Sequence, residues 1–412
     1  MRLLAPGPFT GTRDSFARYV DALTGMSDGA TLVWLAPFAP PQSIGAQYAL
    51  VLPTSGSTGA PKAVAHTLPT LRASQTATAE ALGGHGAWLP FLPPTHIAGV
   101  QVVARALRTA EERGLTDPHG ALGPLPDLGA SFTARTVLEA MEQWDAPDGP
   151  LFTSFVPTQL ERLLRDPDRA VLEQLRRFSA ILVGGAATPA ALLRQGRDLG
   201  LRLVTTYGSS ETAGGCVYSA RPLPGVDLSL DDEGRLVITA PCVARGYLSD
   251  EGELSAFESV PSTAGGAAGV RRFVTSDLAD LGADGTLSIR GRADHVIITG
   301  GAKVNPVEVE QAICQHPSAA AALVTSVPDD EWGQKVVALV VPAEPAHPGG
   351  ADVERPGPEL LRETVPDAVR AARLGSASVP KITLVVDDLP MLAPGKVDRV
   401  RAADLARRLI RE

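Results

Sequence analysis

Residues 52–62 read Leu-Pro-Thr-Ser-Gly-Ser-Thr-Gly-Ala-Pro-Lys. Three hydroxyls, Ser55, Ser57 and Thr58, sit among Gly56 and Gly59, Thr54 precedes them, and Lys62 closes the run. The apolar lead-in Tyr48-Ala-Leu-Val-Leu52 reads as a short buried strand. Glycine lets a backbone approach a ligand closely, and successive amides and hydroxyls can surround phosphate oxygens. Lys62 adds a point charge. The plain alternative is a polar turn of small residues. The spacing Gly-x-x-Gly-x-x-Lys is not the Walker pattern.

Outward from this stretch, strands alternate with helices. Helices are expected at 13–25, 68–82, 100–113, 133–143, 157–164 and 189–199, and strands at 31–35, 48–52, 151–156, 179–185 and 201–206. Alternation of this kind argues for α/β layers with a largely parallel sheet, whose ligands gather where strands end. The loops after residues 52, 183 and 206 are such ends. From Leu228 the pattern shortens to strands at 235–238, 272–275 and 286–289, a small β-subdomain. Beyond Gly291 an α+β pattern follows, with helices at 307–314 and 360–373 and strands at 320–327, 335–341 and 382–386.

Composition sets the bounds. The 412 residues are 44% apolar and 20% charged, which suits a globular chain of two or three domains. A net charge of −9 gives no basic footprint for nucleic acid. No run is long and apolar enough to span a bilayer, and the N-terminus lacks a signal-peptide core. Cys216, Cys242 and Cys314 form neither a metal pattern nor a disulfide framework, which fits a reducing cytoplasm.

Further stretches carry chemistry. In Thr206-Tyr-Gly-Ser-Ser-Glu211, read as a turn after a strand, Tyr207 offers a flat face for a purine. A hydroxyl and a carboxylate there can serve a nucleotide phosphate and its Mg²⁺, which favours oxygen ligands. Thr275-Ser-Asp277 brings a carboxylate able to accept from both ribose hydroxyls. Arg292, Asp294 and the Gly300-Gly301 pair follow in Gly291-Arg-Ala-Asp-His-Val-Ile-Ile-Thr-Gly-Gly-Ala-Lys-Val-Asn305, and Lys396 lies in Pro394-Gly-Lys-Val-Asp-Arg399. Gly184-Gly-Ala-Ala-Thr-Pro189 and Pro93-Pro-Thr-His-Ile-Ala-Gly99 are weaker signals, and alone His96 reads as an ordinary loop histidine. The Gly-x-Ser-x-Gly elbow of hydrolases is missing.

Taken in order, these motifs resemble the acyl-adenylate-forming superfamily: acyl- and aryl-CoA ligases, luciferases and nonribosomal adenylation domains. The departures are Ala63, Ser210 and Ser276, where the family usually has glycine, threonine and glycine. The resemblance covers residues 52–399. It implies a large N-terminal domain of layered α/β sheets with a small β-subdomain (1–293), then a small mobile α+β C-terminal domain (294–412), with Asp294 as hinge. It implies that Thr54, Ser55, Gly56, Ser57, Thr58, Gly59 and Lys62 grip the ATP phosphates. Gly184, Gly185 and Ala186 wall the adenine, and Tyr207, with Thr206, Gly208 and Ser209 beside it, stacks on it. Ser210 contacts the α-phosphate, and Glu211, with Thr58, holds Mg²⁺. Asp277 and Arg292 take the ribose, Gly300 and Gly301 face coenzyme A, and Lys396 offsets charge in the adenylation transition state.

The cofactors implied are ATP, Mg²⁺ and coenzyme A. A carboxylic acid is the other partner, with no nucleic acid and no membrane insertion, and a homodimer is the candidate assembly. Only 51 residues precede Leu52, and this shortness, with segments 152–160, 183–189 and 205–218, resembles the o-succinylbenzoate–CoA ligases of menaquinone synthesis. His96, Ser154, Gln159 and Ser209 are the expected acyl-pocket residues, with His96 and Ser154 first for a second carboxylate. Two alternatives stand beside this. One is another acyl- or aryl-CoA ligase or a carrier-protein-loading adenylation enzyme. The other is an inactive nucleotide-binding relative.

Overall fold

The computed structural model describes residues 2–42, 44–54, 63–129, 132–261, 270–343, 357–392 and 396–411. They divide into two compact units. The first comprises residues 1–229, 237–274 and 282–287, the second residues 230–236, 275–281 and 288–412. Among the described residues no helix is long and apolar enough to cross a membrane.

The first unit contains two six-stranded sheets. One has the order β1 (Arg2–Leu4), β2 (Thr31–Trp34), β3 (Leu50–Pro53), β4 (Ala63–His66), β13 (Gly246–Leu248), β14 (Leu254–Ala256). Its first three strands run parallel, and β4 and β13 each pair antiparallel. Helix α1 (Arg13–Ser27) joins β1 to β2. Thr12 caps it by accepting from the Ser15 amide, and Phe16, Tyr19, Val20 and Leu23 form its buried stripe.

The second sheet has the order β10 (Arg221–Pro222), β9 (Gly214–Tyr218), β8 (Leu203–Ser209), β7 (Ala180–Val183), β6 (Leu151–Phe155), β5 (Ala87–Leu89). Strands β5 to β8 are parallel, and β9 returns antiparallel to β8. Helices α2 (Leu68–Ala81), α3 (Ile97–Glu112), α4 (Ala134–Glu142), α5 (Pro157–Arg165), α6 (Arg169–Leu175) and α7 (Ala190–Asp198) belong to this unit. Phe91, Phe132, Phe155, Trp144, Phe178 and Leu160 lie in one apolar core. Phe91 and Phe155 are stacked at 5.6 Å, with Phe132 edge-on to both. Cys216 and Cys242 are buried in this unit.

A smaller sheet contains β11 (Asp227–Leu230), β12 (Arg235–Ala240), β15 (Glu258–Val260), β16 (Val270–Leu281) and β17 (Leu287–Arg292). It supplies the β-rich segment expected after Leu228.

The second unit is built on β20 (Ala319–Asp329), β21 (Gly333–Pro342) and β22 (Ile382–Val385). Alternate residues of β21 face opposite ways. Val336, Ala338 and Val340 pack in one cluster with α8 (Pro306–Cys314) and α9 (Pro358–Ala371). Val337 and Leu339 pack in another with Ala402 and Ala406 of α10 (Arg399–Arg411). Two short hairpins complete the unit, β18 (Ile297–Thr299) with β19 (Ala302–Val304) and β23 (Met391–Leu392) with β24 (Lys396–Val397).

Three of the differences from expectation are instructive. Strand β8 runs to Ser209 rather than 206, so Thr206–Ser209 lie on the strand itself, and the turn begins at Ser210. Helix α6 follows an Asp168 cap in only seven residues, too few to show a helical period. Helix α10 buries mainly alanines in an arginine-rich run, so its apolar stripe is faint in sequence.

Candidate functional site

The turn after β8 gathers the chemistry of the first unit. Gly208 is required there: a side chain would meet the Gly214 carbonyl at 2.0 Å where the register to β9 shifts. Ser210–Thr212 form a 3₁₀ turn, and Ala213 ends it in the left-handed region, φ 53°. For a non-glycine residue that costs about 1–2 kcal/mol, so its surroundings must hold it. Its carbonyl accepts from Ser74 Oγ at 3.0 Å and from Gln101 Nε2 at 2.9 Å, reached from α2 and α3.

The same grip extends to Ser210 and Glu211. His66, fully buried on β4, donates from Nε2 to the Ser210 carbonyl at 2.7 Å, and its Nδ1 lies 3.0 Å from the Thr70 hydroxyl. A carbonyl only accepts, so Nε2 carries the proton. Burial, against the pull of that carbonyl, pushes the imidazole pKa down to about 4. Ser210 Oγ donates to the Pro53 carbonyl at 3.4 Å. Glu211 is 8% exposed, and its Oε1 accepts from the Tyr247 hydroxyl at 2.8 Å. The structure thus joins the ends of β3 and β4, which flank residues 55–62, to the Ser210–Glu211 turn.

Two features suit a nucleotide and its metal. Ser209 Oγ is buried without a hydrogen-bond partner among the described residues. Glu211 Oε2 takes no hydrogen bond from a described residue, which leaves a carboxylate oxygen for a hard cation such as Mg²⁺. Ser55, Gly56, Ser57, Thr58, Gly59 and Lys62 lie outside the described residues. Thr54 is half-buried after β3. A Cβ on Gly184 would lie 2.0 Å from Thr206 Oγ1, and Gly185 has φ +85°, so the Gly184-Gly185-Ala186 loop packs directly on β8. Tyr207 is half-buried.

Of the expected acyl-pocket residues, His96 is exposed at the N-cap of α3 and Ser154 is buried on β6. Gln159 is committed to the backbone at both ends of its amide. Oε1 accepts from the Val156 amide at 3.0 Å and Nε2 donates to the Phe91 carbonyl at 3.1 Å. Arg105 was not singled out in the sequence. It is 6% exposed on α3, one turn beyond Gln101, with Cζ 5.3 Å above the Trp88 ring. Its Nε has no hydrogen-bond partner among the described residues. With Gln75, Thr78, Trp88 and Phe152 it lines a small cavity.

In the second unit Arg292 brings two expected residues together. It pairs with Asp277 Oδ1 at 3.4 Å and, bidentately, with Asp294 at 2.6 and 2.9 Å. Burial raises the Asp294 pKa, but the Arg292 bonds and charge outweigh it and hold the group below its usual value. Gly300 and Gly301 make the two-residue turn between β18 and β19 with φ +54° and +79°. A Cβ on Gly300 would strike the Trp332 ring at 2.5 Å. Lys396 pairs with Leu392 across the antiparallel strands β23 and β24. Beside it Arg399 binds Glu310 at 2.8 Å. Burial drives the Glu310 pKa up despite that guanidinium.

Missed by sequence reasoning were His66, Ser74, Gln101 and Tyr247. A histidine in the apolar run Ala63-Val-Ala-His66 was the available signal. The polar residues of α2 and α3 look like ordinary surface positions until the turn is packed on them.

Known proteins resemble this chain in sequence and fold. The family described as AMP-binding enzyme matches residues 21–248, and the AMP-binding enzyme C-terminal domain matches residues 308–396. The probable 2-succinylbenzoate–CoA ligase of Mycobacterium tuberculosis is 36% identical over 366 residues, 88% of this chain and 85% of that protein. The Escherichia coli MenE structure with a bound m-phenylether-linked analogue of OSB-AMS is 25% identical with a TM-score of 0.60, over 88% of this chain and 70% of that one. The o-succinylbenzoate coenzyme A synthetase of Bacillus subtilis in complex with AMP is 25% identical with a TM-score of 0.63, over 86% and 68%. With more than half of its length matched by the first family, the chain belongs to the AMP-binding enzyme family.

Proposed function

We propose that this chain is an AMP-forming acid–CoA ligase acting on 2-succinylbenzoate, a step of menaquinone synthesis in the cytoplasm. The substrate's succinyl carboxylate attacks the α-phosphorus of ATP, the bond to the β-phosphate breaks, and acyl-adenylate and pyrophosphate form. The thiol of coenzyme A then attacks the acyl carbon and AMP leaves. Ser210 and Ser209 offer hydroxyls to the phosphates, and Glu211 would hold Mg²⁺, which supplies charge neutralisation there when bound. By resemblance, Asp277 and Arg292 take the ribose, Lys396 offsets the α-phosphate charge, Asp294 is the hinge at the start of the C-terminal domain (294–412), and Gly300-Gly301 serve coenzyme A.

The observation that carries the substrate is the 36% identity over 88% of the chain to the mycobacterial ligase. A dicarboxylate leaves one carboxylate to be held while the other reacts, and we assign the ring carboxylate to His96 and Ser154.

The test is acid-dependent pyrophosphate release with and without coenzyme A. 2-Succinylbenzoate is expected to exceed 4-phenyl-4-oxobutanoate, which lacks the ring carboxylate, by about tenfold or more in kcat/KM. Ser154→Ala should shrink that preference by raising KM for the dicarboxylate alone. Turnover of fatty acids or benzoate with none of 2-succinylbenzoate would leave only the general ligase. Thioester formed on a carrier protein but not on coenzyme A would favour the carrier-loading alternative.

A further inference from the structure

We propose that His66 is a positioning residue for adenylation. Its Nε2–H holds the Ser210 carbonyl and so fixes where the Ser210 hydroxyl and the Glu211 carboxylate stand. The proposal rests on the adenylation reading for its catalytic meaning and on the first unit alone for its geometry.

His66 sits four residues past Lys62, on the strand that leaves the phosphate-loop sequence, and its acceptor is 144 residues away. A core histidine needs only some partner for each nitrogen. This one spends its single proton at 2.7 Å on the main chain of the turn that carries the metal-binding carboxylate. Ser210 is also touched by the Ala213 amide, 3.3 Å from its carbonyl, and its hydroxyl reaches the Pro53 carbonyl at 3.4 Å, both longer bonds; the turn's remaining supports act elsewhere. Ser74 and Gln101 hold Ala213, Tyr247 holds the Glu211 side chain, and the Ala244 amide donates to the Glu211 carbonyl at 2.8 Å. His66 alone, among the described residues, supplies a side-chain donor to Ser210. Without it the half-buried Ser210 carbonyl keeps only the longer bond from the Ala213 amide at 3.3 Å, and a turn that ends in a strained alanine can rotate.

The geometry also separates the roles of the two ring nitrogens. Glutamine places an amide N–H near the position of Nε2 and can keep the bond to Ser210. Asparagine is too short to do so, and phenylalanine keeps the ring without a donor.

The experiment compares wild type with His66→Gln, His66→Asn and His66→Phe, after thermal melts select the variants that fold. The first readout is pyrophosphate release with 2-succinylbenzoate. The second is thioester formation from supplied acyl-adenylate. The third is calorimetric binding of ATP with and without Mg²⁺, which needs no acid. Folded His66→Asn and His66→Phe should lose about thirtyfold in adenylation kcat, with KM for the acid within about twofold. They should also lose most of the Mg²⁺-dependent gain in ATP affinity, and keep thioester formation. His66→Gln should recover both losses to within about fivefold, and its pH profile from 6 to 8.5 should match wild type, since no proton is transferred.

Glutamine as damaged as asparagine, or phenylalanine as active as wild type, would overturn the proposal. If His66→Phe does not fold, the Gln and Asn pair decides. If no acid is adenylated by wild type, the functional reading fails, and the Mg²⁺-dependent ATP affinities still decide whether His66 positions the turn.

Discussion

The turn of the first unit is gripped by side chains that carry no charge: the imidazole of His66, the amide of Gln101 and the hydroxyls of Ser74 and Tyr247. The equivalent motifs of the second unit are gripped by arginines. Arg292 spans Asp277 and Asp294, Arg290 reaches Glu308 at 2.9 Å, and Arg399 reaches Glu310. The difference follows from burial. Glu211 is already a buried charge, and a second charge beside it would have to be desolvated as well, so dipoles hold it at lower cost. The second unit's groups are mostly half-exposed, with Arg292 39% and Asp294 26% accessible, and there ion pairs form without full desolvation. The first unit's turn therefore takes its order from shape and hydrogen-bond direction, the second unit's motifs from charge.

Acid should break the comparison most visibly. The His66 pKa is depressed from its usual 6.5 to about 4 by burial, with Arg271 pushing the same way against the Ser210 carbonyl. The stability it contributes is present above pH 6.5 and is lost as pH falls toward 4. Its full size is about 3 kcal/mol. Glu310 runs the other way. Its pKa is raised in the folded state, so its contribution is present below the usual carboxylate value and fades as pH rises through the raised one. Melting of His66→Gln between pH 7 and 4.5 should show a flatter acid limb than wild type, and an unchanged limb would remove His66 from the explanation.

Next in size is Glu310→Ala, which strands a partly buried Arg399 and frees the Val324 amide. The expected loss is about 2 kcal/mol in chemical denaturation, confined to the transition of the second unit if two are resolved. Arg292→Lys loses the bidentate fork to Asp294, and AMP affinity should fall by about tenfold by calorimetry. The smallest effect is that of salt. Screening by about 1 M NaCl should cost the second unit under about 1 kcal/mol and leave Mg²⁺-free ATP-turn geometry, read by near-UV circular dichroism, unchanged. Equal salt sensitivity of both units would erase the contrast.

The sequence made the charged half easier to read. Asp277, Arg292 and Asp294 stand out because charged residues in a turn-rich context suggest a site, and the structure joins them through one guanidinium. The α/β layering was also legible, since buried parallel strands are apolar runs and α1, α3 and α5 carry clear stripes. The neutral half was not. Ser74 and Gln101 lie on helices whose polar residues look solvated, and only the return of β9 against β8 brings the Ala213 carbonyl to them. Tyr247 is far from Glu211 in sequence and meets it because β13 pairs with β4. Local patterns reveal elements. Which polar side chain reaches which carbonyl depends on how those elements pack.

The burial of Cys216 and Cys242 has an experimental use. Burial raises all three thiols, Cys216 to about 12, so little thiolate is present at neutral pH, and only Cys314 is exposed to a reagent. Toward an aromatic disulfide reagent the native molecule should behave as if it held a single cysteine. The two slow thiols, on β9 behind the turn and just after β12, would then be silent labels whose modification rate counts openings of the first unit. ATP and Mg²⁺ should lengthen that clock, and the lengthening would measure, in seconds, how firmly ligand closes the turn.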